Sequence, residues 1–124
     1  KGDNMATPNI VNVATINAAN STALLDGTSR TTALDVGADV VAKVNTILVA
    51  NVDGTNAADI TIEVSIDNGS NFVAIASTIS VPADATLSFL ENPIYLDETD
   101  LLYFTASAAN DLTYFISYET LNDA

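Results

Sequence analysis

Between Asp59 and Asp67, apolar and polar residues alternate without a break: Ile60, Ile62, Val64 and Ile66 against Thr61, Glu63, Ser65 and Asp67. A period of two puts one face in a core and the other in water, so the segment reads as a half-buried β-strand. Asp67-Asn68-Gly69-Ser70 follows. Asn-Gly between two strands is the strongest short hairpin signal, because a type I′ turn needs positive φ at both central residues. Phe72 to Val81 is then the returning strand, with Val73, Ile75, Ile79 and Val81 mostly on one side.

The rest of the chain fits the same grammar. Val40 to Val52 reads as a long strand, with Val44, Thr46, Leu48, Ala50 and Val52 on one face and Ile47 and Val49 on the other. Short strands are expected at Thr31 to Val36, Thr86 to Leu90 and Ile94 to Leu96. Leu101 to Ser107 and Leu112 to Thr120 form a closing hairpin, with Leu112, Tyr114, Ile116 and Tyr118 sharing a face. Ile10 to Ile16 and Thr22 to Leu25 are candidate strands that alternate less cleanly, and Lys1 to Thr22 is a candidate N-terminal arm reaching onto a partner. Lys, Glu, Gln and Arg, the usual surface residues of amphipathic helices, are scarce, and no segment has a 3.6-residue apolar period. The expectation is one domain over residues 1–124, an all-β antiparallel sandwich of about eight or nine strands, jelly-roll or immunoglobulin-like, with no long helix. Ile60, Ile62, Val64, Ile66, Leu48, Ile75, Phe104 and Ile116 are its predicted core.

Charge narrows the function. Sixteen acidic and three basic residues give a net charge of −13. Nucleic acids and anionic membrane surfaces are polyanions that need Lys and Arg, so neither is an expected partner. With no Cys and no His, disulfide frameworks, thiolate or imidazole metal sites, Cys nucleophiles and His-based triads are excluded. The N-terminus shows no signal-peptide pattern, and no apolar run approaches the roughly 18–20 residues that span a bilayer. Scattered single glycines make no phosphate-cradling loop.

Carboxylates are the only plentiful reactive groups, and Asp26, Asp53, Asp67, Asp97, Asp100 and Asp111 fall where Asp serves turn geometry. No catalytic residue, cofactor or metal site is therefore expected. The weak calcium candidates are Asp97, Glu98 and Asp100, joined in space by Asp53 or Asp59, because calcium takes oxygen ligands from acidic loops. Tyr103, Tyr114 and Tyr118 are the interface candidates, while Phe104 and Phe115 are expected to be packed inside.

From Val40 to Thr120 the chain resembles the small β-sandwich structural proteins of tailed bacteriophage virions. The likeness lies in Asn51-Val52-Asp53-Gly54-Thr55 closing a long strand, the alternating Asp59–Asp67 strand with its Asp-Asn-Gly hairpin, and Val81-Pro82-Ala83 before Leu87. It continues through Asn92-Pro93-Ile94-Tyr95-Leu96 entering an acidic turn and a last strand ending Ser117-Tyr118-Glu119. The resemblance implies a non-catalytic protein that decorates or cements the outside of a capsid, with the major capsid protein, other virion proteins or its own copies as partners. The alternative is a secreted or cell-surface sandwich that binds glycan or protein.

Overall fold

The computed structural model describes residues 15–122, which form nine strands and no helix. They are β1 (Thr15–Leu24), β2 (Thr31–Asp35), β3 (Val40–Asn51), β4 (Ala58–Ser65), β5 (Val73–Val81), β6 (Thr86–Ser88), β7 (Ile94–Leu96), β8 (Leu101–Ala106) and β9 (Leu112–Asn122). Two sheets face each other. The first runs β1-β9-β3-β6, with β7 also paired to β3, and the second runs β2-β8-β4-β5. Every pairing is antiparallel. The chain is a β-sandwich, as its alternation requires.

The core lies between the sheets. Val44, Ile47 and Val49 of β3 and Leu112, Tyr114 and Ile116 of β9 meet Ile60 and Ile62 of β4 and Leu102, Phe104 and Ala106 of β8. Burying a side chain of this size contributes about 1.5–3 kcal/mol, so these positions dominate the stability. Ile60, Ile62, Phe104 and Ile116 are fully buried as predicted, and Val64 is packed against the core at its margin.

Three predicted core residues are not inside, and β-bulges explain two of them. On β3, Val44 pairs with Tyr118 but Thr46 pairs with Ser117, so Asn45 is an extra residue with no partner on β9. One inserted residue reverses the face presented by everything after it. Ala42 and Val44 point inward before the bulge, and Ile47 and Val49 do so after it, which leaves Leu48 half-buried and Val52 exposed. On β5 the register slips twice, between the partners of Ile60 and Ile62 and between those of Ile62 and Glu63. Ala76 and Val81 are left as the inward residues, and Val73, Ile75 and Ile79 are exposed. Ile66 is 74% exposed for a simpler reason: β4 ends at Ser65, before it.

The Asn-Gly turn forms as expected, with Asn68 at φ 58° and Gly69 at φ 90°. Its stem is held by one carboxylate. Asp67 Oδ1 accepts from Ser65 Oγ at 2.9 Å and from the Asn71 amide at 2.8 Å, and its Oδ2 accepts from Asn71 Nδ2 at 2.7 Å. These bonds, led by that from the Asn71 side chain, hold the Asp67 pKa below the ordinary 3.8. A lowered folded-state pKa adds stability above the unfolded value and loses it as pH falls through the folded one. In circular-dichroism melts from neutral pH down to about 2, wild type is therefore expected to lose stability below pH 3.8. Asp67→Asn should start less stable at neutral pH and show a shallower acid loss; equal acid slopes would refute the assignment.

The candidate arm divides at the edge of the described residues. Residues 1–14 lie outside them, together with most of the expected Ile10 to Ile16 strand. Thr15 to Thr22 belongs to β1, a single ten-residue strand paired along its whole length with β9. Its Thr, Asn, Ser and Ala side chains bury almost nothing, so the backbone ladder holds it rather than an apolar face.

Candidate interaction surfaces

The three tyrosines singled out by the sequence have different surroundings. Tyr103 points away from the core on β8 and is half-buried. Its ring meets Phe72 edge-on, with centroids 5.1 Å apart. The Arg30 guanidinium lies 3.7 Å from the Phe72 centroid and 6.0 Å from that of Tyr103. Arg30 also grips Glu63 with both arms, Nε to Oε1 at 2.9 Å and Nη2 to Oε2 at 3.2 Å. The Glu63 hydrogen bond is the main cause of a raised Arg30 pKa. Gly69 lies against this cluster: a Cβ there would sit 3.5 Å from Tyr103 Oη. Tyr103 is thus the centre of an intramolecular patch that joins the segment before β2 to the β4–β5 hairpin. The lone Arg30 among so many acids was the sequence signal for it, but its partners are distant in sequence.

Tyr114 does not present its ring to solvent. It is 5% exposed and lies 4.7 Å from the Phe104 ring, with the ring planes 32° apart, because it shares the inward face with Leu112 and Ile116. Tyr118 is half-buried against the same core. The outward aromatic of β9 is Phe115, 40% exposed, and the expectation that it packs inside is corrected by the strand's own alternation. It pairs with Thr22 on one side and Leu48 on the other.

The acidic turn is built for backbone geometry. Asp97 Oδ1 accepts from the Glu98 amide, and Asp100 Oδ2 accepts from the Asp97 amide, both at 2.8 Å. Glu98 is 1% exposed; its Oε2 accepts from the Asp39 amide at 3.2 Å, and its Oε1 has no hydrogen-bond partner. Among the described residues no three His, Cys, Asp or Glu side chains converge so as to hold a metal ion. Asp53 is not brought to Asp97 either. Leu96 pairs with Ala42 near one end of β3, while Asp53 follows Asn51 at the other, roughly 30 Å away at strand rise. Asp53 instead caps its own turn, accepting from the Thr55 amide at 2.8 Å and from Asn56 Nδ2 at 3.3 Å, which lowers its pKa. Asp59 opens β4, where its amide donates to Ser107 Oγ.

The basic residues among those described are Arg30 and Lys43, and each faces a carboxylate: Glu63 at 2.9 Å and Glu119 at 4.0 Å. No basic patch exists among the described residues. Exposed apolar side chains gather on β5 and just before it, with Ile66, Val73, Ile75 and Ile79, and on the outer face of the first sheet, with Ile16, Leu24 and Phe115.

No protein-family profile matches the chain. No curated protein matches it in sequence either. Solved structures do share its shape. It is similar to the subunit of Bacillus endospore appendages, described as disulfide-linked pili, at TM-score 0.51 and 13% identity over 89% of this chain and 88% of that one. It is also similar to VP2 of the infectious bursal disease virus subviral particle, at TM-score 0.50 and 14% identity over 90% of this chain. There it spans 34% of the longer VP2 chain. At these identities the likeness establishes a shared β-sandwich architecture.

Proposed function

We propose that this chain is a non-catalytic virion structural protein that decorates or cements the outside of a phage capsid, through contacts with the major capsid protein and with its own copies. The strand order carries the reading. With β6 and β7 taken as one interrupted strand, the chain crosses between sheets at nearly every step, in the orders β1-β9-β3-β6 and β2-β8-β4-β5. That order supports reading the sandwich as a jelly roll, a double Greek-key architecture that viral capsid domains use. Three features support it. Among the described residues, the Asp53, Asp67, Asp97 and Asp100 carboxylates serve turn geometry. A charge of −13 keeps many copies soluble before assembly and disfavours contact with packaged DNA, which suits an outward position. Short, stiff side chains lose little entropy on forming contacts.

Quantitative mass spectrometry of purified particles tests the proposal. Copies comparable in number to the shell protein are the expected result. A count of about six or twelve, set by a symmetric ring, would move the protein to the neck or tail. Absence from particles would overturn the virion reading in favour of a secreted binding module.

A further inference from the structure

Every open sheet has edges, and an unprotected edge is a template for another strand. Three edges of this sandwich are blunted. On the far side of the first sheet, β6 and β7 are three residues each. In the second sheet, β2 is five residues long with a register shift between Thr32 and Leu34. At its other edge, β5 carries two register shifts and a Thr78 twisted to φ 46°. Short length, bulges and local twist are the means by which natural sheets prevent pairing.

The fourth edge has none of these. β1 keeps an unbroken ten-residue register with β9 and contains no Pro, no Gly and no charge. It is exposed along most of its length. In a chain of net charge −13, the whole run from Met5 to Leu25 carries no charged residue. Two copies therefore meet at this edge without bringing like charges together, while a cationic partner would be drawn to the acidic faces instead.

We propose that the outer edge of β1 is where two copies of this chain pair, antiparallel about a two-fold axis through Asn20. The alternation supports this register. An axis perpendicular to the sheet keeps outer face on outer face, so opposite residues must share parity. Centred on Asn20, the pairing sets Ile16 against the partner's Leu24 and Leu24 against the partner's Ile16. These are the two large apolar side chains of β1, 58% and 45% exposed, and both lie on the outward face. Phe115, beside Thr22 on that same face, extends the apolar strip. Pairing would set Ile16 and Leu24 of the two copies side by side and join two first sheets into one. The inference rests on this edge and not on the virion reading, which the particle count tests separately.

Sedimentation equilibrium of the full chain decides it. Wild type is expected to show a reversible equilibrium between 12.9 kDa and 25.8 kDa, twice the monomer mass, that tightens with salt as the net repulsion is screened. Asn20→Asp places two carboxylates on the axis and should weaken the dimer roughly tenfold or more. Ser80→Asp, also exposed but on the β5 edge, should leave it unchanged. Mixing the Asn20→Asp and Asn20→Lys chains should restore a 1:1 dimer through opposite charges, which a merely misfolded variant would not do. A wild type that stays monomeric at about 100 µM overturns the proposal. So does an Asn20→Asp dimer as tight as wild type, or an assembly heavier than a dimer that is indifferent to Asn20.

Discussion

Phe104→Ala is expected to destabilise the chain by about 3–5 kcal/mol, measured as the shift in urea midpoint by circular dichroism at constant slope. Phe104 is fully buried at the middle of the second sheet, where β8 pairs with β4 on one side and β2 on the other. Its ring lies 4.7 Å from Tyr114 of the first sheet, so it bridges the two layers. Truncation loses the transfer energy of the ring and leaves a cavity between two hydrogen-bonded sheets that cannot collapse without breaking ladders. Single domains are stable by about 5–15 kcal/mol, so the variant gives up a large share of its stability. Phe104→Leu keeps most of the volume and should lose less than about 1.5 kcal/mol. A Phe104→Ala loss as small as that of Leu would mean that this part of the interior is not closed.

How much of this was legible in the sequence depends on whether a residue's face is set locally. The Asp59–Asp67 alternation reports its own burial, and Ile60 and Ile62 lie where it puts them. Leu112, Tyr114 and Ile116 obey the same rule, as does Phe104 between Tyr103 and Thr105. The Asn68-Gly69 turn is equally local, since its positive φ values are written in the residue types. The bulges are not. Asn45 is polar on a strand that otherwise alternates poorly, and only the register against β9 shows that it is skipped. For the same reason local alternation puts Leu48 and Ile75 on the wrong face. β1 fails differently: it has no buried face to alternate, so a periodicity reading cannot see it, although the ladder to β9 makes it one of the longest strands. At the surface, Tyr103 is visible as an aromatic, but its ring contacts come from residues 30 and 72, which only the fold assembles.

The second large effect is expected at a polar residue in the interior. Asn51 closes β3 at 3% exposure. Its Nδ2 donates to the Asn56 and Val81 carbonyls, both at 2.9 Å, and its Oδ1 accepts from the Asp53 amide at 2.9 Å. One side chain thus ties the end of β3 in the first sheet, the turn that follows it, and the end of β5 in the second sheet. Asn51→Leu supplies apolar bulk of similar size but removes the donor to the Asn56 and Val81 carbonyls and the acceptor for the Asp53 amide, and a buried polar group deprived of its partner costs about 1–3 kcal/mol. With the turn loosened as well, the expected loss is about 2–4 kcal/mol. Asn51→Asp separates the terms. It keeps the acceptor for Asp53, but sets a carboxylate oxygen against two carbonyl oxygens in a site that excludes water. Its folded-state pKa is then raised above the unfolded value, so the penalty is smallest at low pH and grows as pH rises through the unfolded carboxylate range near ~4. At neutral pH Asn51→Asp should be the less stable of the two variants, and on acidification the gap between them should close. If Asn51→Leu matches wild type in urea, packing rather than hydrogen bonding holds this corner; a gap that stays constant with pH would show that the introduced carboxyl reaches water.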